Sequence, residues 1–181
     1  TNTPDVLTET TADFGFALLM ATARRMSEGE RLLRAGGWKS GSWDFLAGPD
    51  VYNSTLGILG MGRIGQAIAR RGRFGFGMKV AYHNRSRLPA EAEAELGARY
   101  LTKDELLRQA DHLVLVLPYS AQSHHCIAAA EIALMKPTAT LINIARGGIV
   151  DEDALAAALR EQRIAAAGLD VFEGEPRVQP A

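Results

Sequence analysis

A single cysteine, Cys126, stands among 181 residues, which rules out a disulfide within the chain. No apolar run approaches the ~18 residues that mark a membrane-spanning helix. Neither sign of charge is in excess, with 20 Lys and Arg against 21 Asp and Glu. No block of like charge occurs either, so nothing supports a nucleic-acid-binding or membrane-surface role. The first residues, Thr1-Asn2-Thr3-Pro4-Asp5, lack the basic-then-apolar order of a secretory signal. Together these absences predict a cytoplasmic protein whose partners are small molecules or other subunits. With no initiator Met, the chain is expected to be an excerpt. Repeats and low-complexity tracts are also missing. What is present, 47% hydrophobic and 23% charged residues, suits one soluble globular domain over residues 1–181.

Residues 8–35 read as one helix, capped by Thr8 or Thr10, with Glu9 and Asp13 early, Arg24, Arg25, Arg31 and Arg34 late, and Gly36-Gly37 as its end. Residues 14–23 are apolar on nearly every side, which predicts packing on two surfaces, one of them on another chain. The stretch 38–54 mixes Gly, Ser, Pro and aromatics without period and reads as a loop. From residue 55 onward, apolar runs at 55–60, 79–82, 112–117, 139–144 and 164–170 alternate with helical patterns at 63–74, 90–96, 102–109, 129–135 and 152–161. Continuous apolar strands belong to a parallel sheet covered on both faces. The expected fold is therefore α/β, a Rossmann-type doubly wound parallel sheet with a long N-terminal interface helix.

The first strand runs into Gly60-Met61-Gly62-Arg63-Ile64-Gly65, a G-x-G-x-x-G opening a helix. That strand–turn–helix context is what makes the motif a dinucleotide signature and not only a packed turn. Gly60 permits the tight turn, Gly62 lets backbone approach a pyrophosphate, and Gly65 seats the helix close to the strand; Arg63 and Ile64 belong to the same cradle. A site selective for NAD places an acid at the end of the second strand, about 20 residues on. Here that segment reads Tyr82-His83-Asn84-Arg85-Ser86-Arg87, and no acid occurs between Asp50 and Glu91. The guanidinium groups of Arg85 and Arg87 and the hydroxyl of Ser86, in one segment with Asn84, suit a 2′-phosphate, so NADP(H) is favoured and NAD(H) remains open. The alternative is that Arg85 and Arg87 are merely solvated.

Three further pieces complete a pattern: Leu117-Pro118, Asn143-Ile144-Ala145-Arg146-Gly147, and Gly168-Leu169-Asp170-Val171-Phe172-Glu173-Gly174-Glu175-Pro176. With the glycine loop and the N-terminal helix, the chain resembles the NAD(P)-binding domain of the D-isomer-specific 2-hydroxyacid dehydrogenases. Within them it is most similar to the glyoxylate, hydroxypyruvate and 2-ketogluconate reductases. The resemblance implies an oxidoreductase that reduces a small 2-oxo acid to the D-2-hydroxy acid. Leu117, Pro118, Ala145, Arg146 and Asp170 would face the cofactor. Arg146 would also grip the substrate carboxylate and carbonyl through its guanidinium fork, and Glu175 would orient a catalytic histidine. Arg146 as a structural ion pair and Asp170 as a turn former remain the alternatives.

The resemblance stops short in two places. The family's catalytic histidine follows the Glu-Pro segment at a distance. His83, His112, His124 and His125 match none of its positions, and His124-His125 read as helix-start or surface residues. The family's substrate domain precedes the N-terminal helix and is likewise outside these residues. The chain alone is accordingly expected to be inactive. A homodimer through the N-terminal helix is expected, and no metal. A reading of another class is a non-catalytic dinucleotide-sensing module of corepressor type; an NAD-linked hydrolase has no residues of its own in support.

Overall fold

A computed structural model describes residues 6–177; residues 1–5, on which the absence of a signal was read, lie outside them. The N-terminal segment forms α1 (Thr8–Ala23) and α2 (Met26–Arg34) rather than one helix. The break falls at Arg25, whose φ of 53° is left-handed. Two causes are visible. The Arg25 guanidinium turns onto Glu28 at 2.6 and 2.8 Å, fixing the start of α2, and the backbone at Gly48 lies so close to the Ala23 carbonyl that a Cβ there would stand 1.9 Å from its oxygen. The connecting loop thus occupies the path a continuing helix would take. Neither Thr8 nor Thr10 caps α1: the cap is Leu7, with no side-chain hydrogen bond. Gly36 and Gly37 do end α2, their N–H groups donating to Leu33 O at 3.0 Å and Leu32 O at 2.9 Å.

Six strands follow: β1 (Thr55–Leu59), β2 (Lys79–His83), β3 (Ala98–Tyr100), β4 (His112–Leu115), β5 (Thr140–Asn143) and β6 (Ala166–Leu169). All pair in parallel, in the order β3-β2-β1-β4-β5-β6, the doubly wound arrangement expected. Between them run α3 (Arg63–Arg70), α4 (Ala90–Leu96), α5 (Lys103–Gln109), α6 (Ala129–Ile132) and α7 (Glu152–Arg160). The turn after α3 widens into a π-helical segment, Arg71–Gly75. Two adjustments to the expected strands bear on the site. β3 was not anticipated, and β4 closes at Leu115, which leaves Leu117 and Pro118 in the loop beyond it.

The four inner strands, β2, β1, β4 and β5, feed both faces. Leu56, Ile58, Val114 and Ile142 join α1 and α3 through Phe16, Leu19 and Ile68 in one core. Leu59, Leu113, Leu115 and Leu141 join Leu106, Ile132 and Leu155 in the other. That double burial is why the strands read as unbroken apolar runs. It also accounts for the nearly all-round apolar stretch 14–23, because α1 packs on both α3 and the sheet of its own chain. Thr102 caps α5 in a reciprocal box with Glu105, and Asp151 caps α7 by accepting from Ala154 N at 3.0 Å.

Candidate dinucleotide site

The order β2-β1-β4 places a crevice where the chain, having filled one side of β1, crosses to the other. Open parallel sheets bind ligands at such a switch point. A cleft of about 600 Å³ lies there, lined by Gly60 and Gly62, by His83 to Ser86 at the end of β2, and by Val116, Leu117, Pro118 and Ser120 beyond β4. A second groove of about 570 Å³ runs between α1, α2 and the outer edge of β6. It holds none of the predicted site residues, so the first cleft is the candidate site.

The glycine loop is built for close approach. Gly60 has a φ of 105°, and a Cβ on it would lie 2.7 Å from the Val116 backbone. At Gly65 a Cβ would meet Gly60 O at 2.4 Å, so α3 sits hard against the loop, whereas at Gly62 it would meet nothing within 4 Å. The open space is on the cleft side, and Gly62 caps α3 without any side-chain bond. A pyrophosphate fits there, at the positive end of a helix dipole. Arg63 opens α3 at the surface, while Ile64 packs against the core.

Asn84 has a role the sequence did not disclose. Its Oδ1 accepts from Met61 N at 2.6 Å, and its carbonyl accepts from the Tyr100 hydroxyl at 3.1 Å, so it clamps the glycine loop to the end of β2. Arg85 and Ser86 are exposed on the cleft rim. Arg85 makes no ion pair among the described residues. Arg87 differs: its guanidinium donates to both oxygens of Glu93 at 2.8 and 2.7 Å, and those bonds, followed by one from Tyr82, hold the Glu93 carboxyl below its usual range. The Tyr82 hydroxyl donates to Glu93 at 2.6 Å and accepts from Leu88 N at 2.7 Å. Burial, then that Glu93 contact, pushes the phenol up to about 12. Of the two arginines weighed for a phosphate, Arg87 is therefore engaged and Arg85 is available.

Leu117 and Pro118 line the opposite wall with Ser120, Ser123 and Cys126; burial pushes the Cys126 thiol up, so it remains protonated. Lys103 also faces the cleft, its ammonium on Glu131 at 2.8 Å and on Cys126 O at 3.3 Å. His83, at the cleft, is held by Leu101 O at 2.8 Å from its Nδ1. Of these lining residues Leu117 and Pro118 were expected from the resemblance, whereas Ser120, Ser123, Cys126, Lys103 and His83 were not, because no local motif marks them.

Ala145, Arg146, Asp170 and Glu175 do not line this cleft. They meet one another beside it through backbone. Buried Asn143 donates from Nδ2 to Arg146 O at 3.2 Å and accepts from Ala145 N at 3.0 Å, while Asp170 N donates to Asn143 O at 3.0 Å. A Cβ on Gly147 would stand 1.9 Å from Phe172 O, so the turn carrying Arg146 lies against the segment carrying Glu175. The exposed Arg146 guanidinium donates to Ala145 O at 2.6 Å, and among the described residues it pairs with no acid. Glu175 Oε1 accepts from Phe172 N at 2.6 Å. His124 and His125 occupy a turn ahead of α6 instead of opening that helix, which starts at Ala129.

Residues 16–181 match the family model described as D-isomer specific 2-hydroxyacid dehydrogenase, NAD binding domain. The chain belongs to the D-isomer specific 2-hydroxyacid dehydrogenase family. Its similarity to a glyoxylate reductase of Thermococcus onnurineus is 55% identity over 97% of this chain and 53% of the relative. It is 52% identical to a glyoxylate/hydroxypyruvate reductase B of Pectobacterium atrosepticum, over 97% of this chain and 54% of the relative. Among solved structures it is similar to a glyoxylate reductase from Paecilomyes thermophila, with a TM-score of 0.88, 43% identity, and coverage of 98% of this chain and 52% of that one. The 2-hydroxyacid dehydrogenase chain thus spans about half the length of these relatives. No helix of the described residues is long and apolar enough to cross a membrane.

Proposed function

We propose that these residues form one dinucleotide-binding domain, the NADP(H)-binding half of a reductase that converts a small 2-oxo acid of the glyoxylate or hydroxypyruvate type to its D-2-hydroxy acid. The observation that carries the reading is the cleft at the β1/β4 switch point, whose rim offers Arg85, in no ion pair among the described residues, and the Ser86 hydroxyl in place of a ribose-binding acid. A cation and a hydroxyl there favour a 2′-phosphate through charge-assisted hydrogen bonds. The names of the relatives support the substrate class.

A nicotinamide dinucleotide held in the cleft would supply the hydride. Leu117 and Pro118 form an apolar wall of the cleft, Ala145 and Asp170 stand beside it, and Arg146 would orient the substrate carboxylate and stabilise charge developing on the carbonyl oxygen. Glu175 orients a histidine from elsewhere in the protein, which returns the proton to that oxygen. A homodimer forms through the N-terminal helical segment. Met26 and Leu33, each 61% exposed on α2, and Trp43, 98% exposed in the loop that follows α2, support that contact. The reading places the protein in the cytoplasm, which the single cysteine supports.

The test follows NADPH oxidation with glyoxylate and hydroxypyruvate, using both this chain and the protein that contains it. The containing protein turns over, and Arg146→Gln lowers its kcat/KM by about 100- to 1,000-fold. The 181-residue chain alone shows no turnover. Full activity of Arg146→Gln, or of the chain alone, would overturn the assignment.

A further inference from the structure

Beside the dinucleotide cleft, three strand-end loops bring together side chains that the proposed hydride transfer does not use. His124 and His125 come from the loop after β4, and Glu173 from the segment after β6, with the turn after β5 between them. His125 has a φ of 47°, and its N–H donates to Gly148 O at 2.7 Å, which fixes the histidine pair to the β5 turn. His125 Nε2 lies 2.8 Å from Glu173 Oε2. The His124 ring stacks on that of His125 with centroids 3.9 Å apart, and the Tyr119 hydroxyl lies 3.1 Å from His124 Nδ1. Glu173 is fixed in turn by its N–H, which donates to Glu152 Oε1 at 2.5 Å at the start of α7. One donor atom from each of His124, His125 and Glu173 lies within 4.8 Å of the other two.

We infer that these three side chains form a binding site for a divalent transition-metal ion of the zinc class. Two imidazole nitrogens, which are borderline donors, with one carboxylate oxygen make a set that suits zinc, whereas calcium and magnesium take oxygen alone. His124 and Glu173 are exposed, so water completes the coordination. Binding replaces the His125–Glu173 hydrogen bond with two metal–ligand bonds, and the stacked rings turn about their side-chain torsions to aim at one ion. The Tyr119 hydroxyl is placed to steady the His124 ring, as outer-shell partners of ligating histidines do. The histidine loop continues the wall formed by Pro118, Ser120 and Ser123, and Glu173 is two residues before Glu175. The ion would therefore tie the cofactor wall to the segment carrying Glu175. His83 and His112 are committed elsewhere, to Leu101 O and to Thr140 with Asp50 O.

The test uses the untagged chain, stripped with a chelator and titrated with zinc chloride by calorimetry. A parallel titration with cobalt(II) chloride reads the ligand-field absorption, which shifts and intensifies when imidazole and carboxylate ligands displace water from the hexaaqua ion. The expected result is saturable one-to-one binding, weakened at least about tenfold in His124→Gln and in Glu173→Gln, with the cobalt spectrum lost alongside. Because the His124 side chain is at the surface, that variant keeps the far-ultraviolet circular dichroism of the parent even if Glu173→Gln does not. Absence of saturable zinc binding, or binding unchanged in His124→Gln, would overturn the inference.

Discussion

Gly62 and Gly65 stand in one motif, yet substituting each with alanine should have opposite consequences. At Gly62 a Cβ meets no atom within 4 Å, and its φ of −77° is open to any residue. The fold pays only the difference between Gly and Ala at a helix cap, about 0.5–1 kcal/mol. The added methyl nevertheless projects into the space through which a pyrophosphate would approach. Loss of close contact there should weaken NADPH binding by about tenfold to 100-fold, or roughly 1.4–3 kcal/mol. At Gly65 the Cβ would lie 2.4 Å from Gly60 O and 3.2 Å from Ile58 Cγ2. A carbonyl in a tight turn cannot step aside, so α3 must lift from β1, an overpacking cost of about 1–3 kcal/mol. Urea unfolding and calorimetric titration on the two variants separate the effects: Gly62→Ala keeps its midpoint near wild type and loses affinity, while Gly65→Ala loses stability first. NADPH binding by Gly62→Ala as tight as wild type would refute the placement of the pyrophosphate.

Three other outcomes follow from single contacts. Tyr82→Phe removes the buried bond from the phenol to Glu93 and strands the part-buried Leu88 N–H that now donates to it at 2.7 Å, and should cost about 1–3 kcal/mol in urea unfolding; a loss below about 0.5 kcal/mol would contradict this. Arg87→Gln should lower thermal stability by releasing Glu93 while leaving the ratio of NADPH to NADH affinity unchanged, and a changed ratio in paired titrations would count against the engaged state of Arg87. His112 is fully buried between Thr140 Oγ1 at 2.8 Å and Asp50 O at 3.1 Å, and burial pushes its imidazole below the usual histidine range of about 6.5. The unfolded chain then binds the proton more readily, so this stability is fully present above about pH 6.5 and is lost as pH falls through the lower native value. Urea midpoints should decline from about pH 7 to about pH 5, and less so in His112→Gln; equal slopes in parent and variant would refute the attribution. Asp111, held low against the opposing effect of burial by Lys136 and the Thr55 N–H, acts only below its ordinary 3.8 and does not confuse that window.

The sheet was legible because each of its long strands is buried on both faces, so Leu56 and Leu59, or Val114 and Leu115, are apolar in succession. β3 escaped because Ala98–Tyr100 is three residues long and carries an exposed Arg99 at its centre. The break at Arg25 carried no Gly or Pro to announce it. Its causes are Glu28 and the backbone of Gly48, and the second of these is visible only once the chain has folded. The site divides in the same way. The glycine loop is contiguous and could be read by spacing, and Arg146 and Glu175 by resemblance. The engagement of Arg87 by Glu93 crosses a turn into the next helix. The meeting of His125 with Glu173 spans 48 residues of sequence. Contacts of that kind are created by the sheet order, which no local pattern encodes.

The central claim is that this 2-hydroxyacid dehydrogenase chain binds a phosphorylated dinucleotide at the β1/β4 switch point, with Arg85 reading the 2′-phosphate. Separate calorimetric titrations with NADPH and NADH, on the parent chain and on Arg85→Gln, test it most directly. The account predicts NADPH tighter than NADH by about tenfold or more in the parent, with that margin largely abolished in Arg85→Gln. NADH binding as tightly as NADPH, or an Arg85→Gln variant that keeps the full margin, would contradict it.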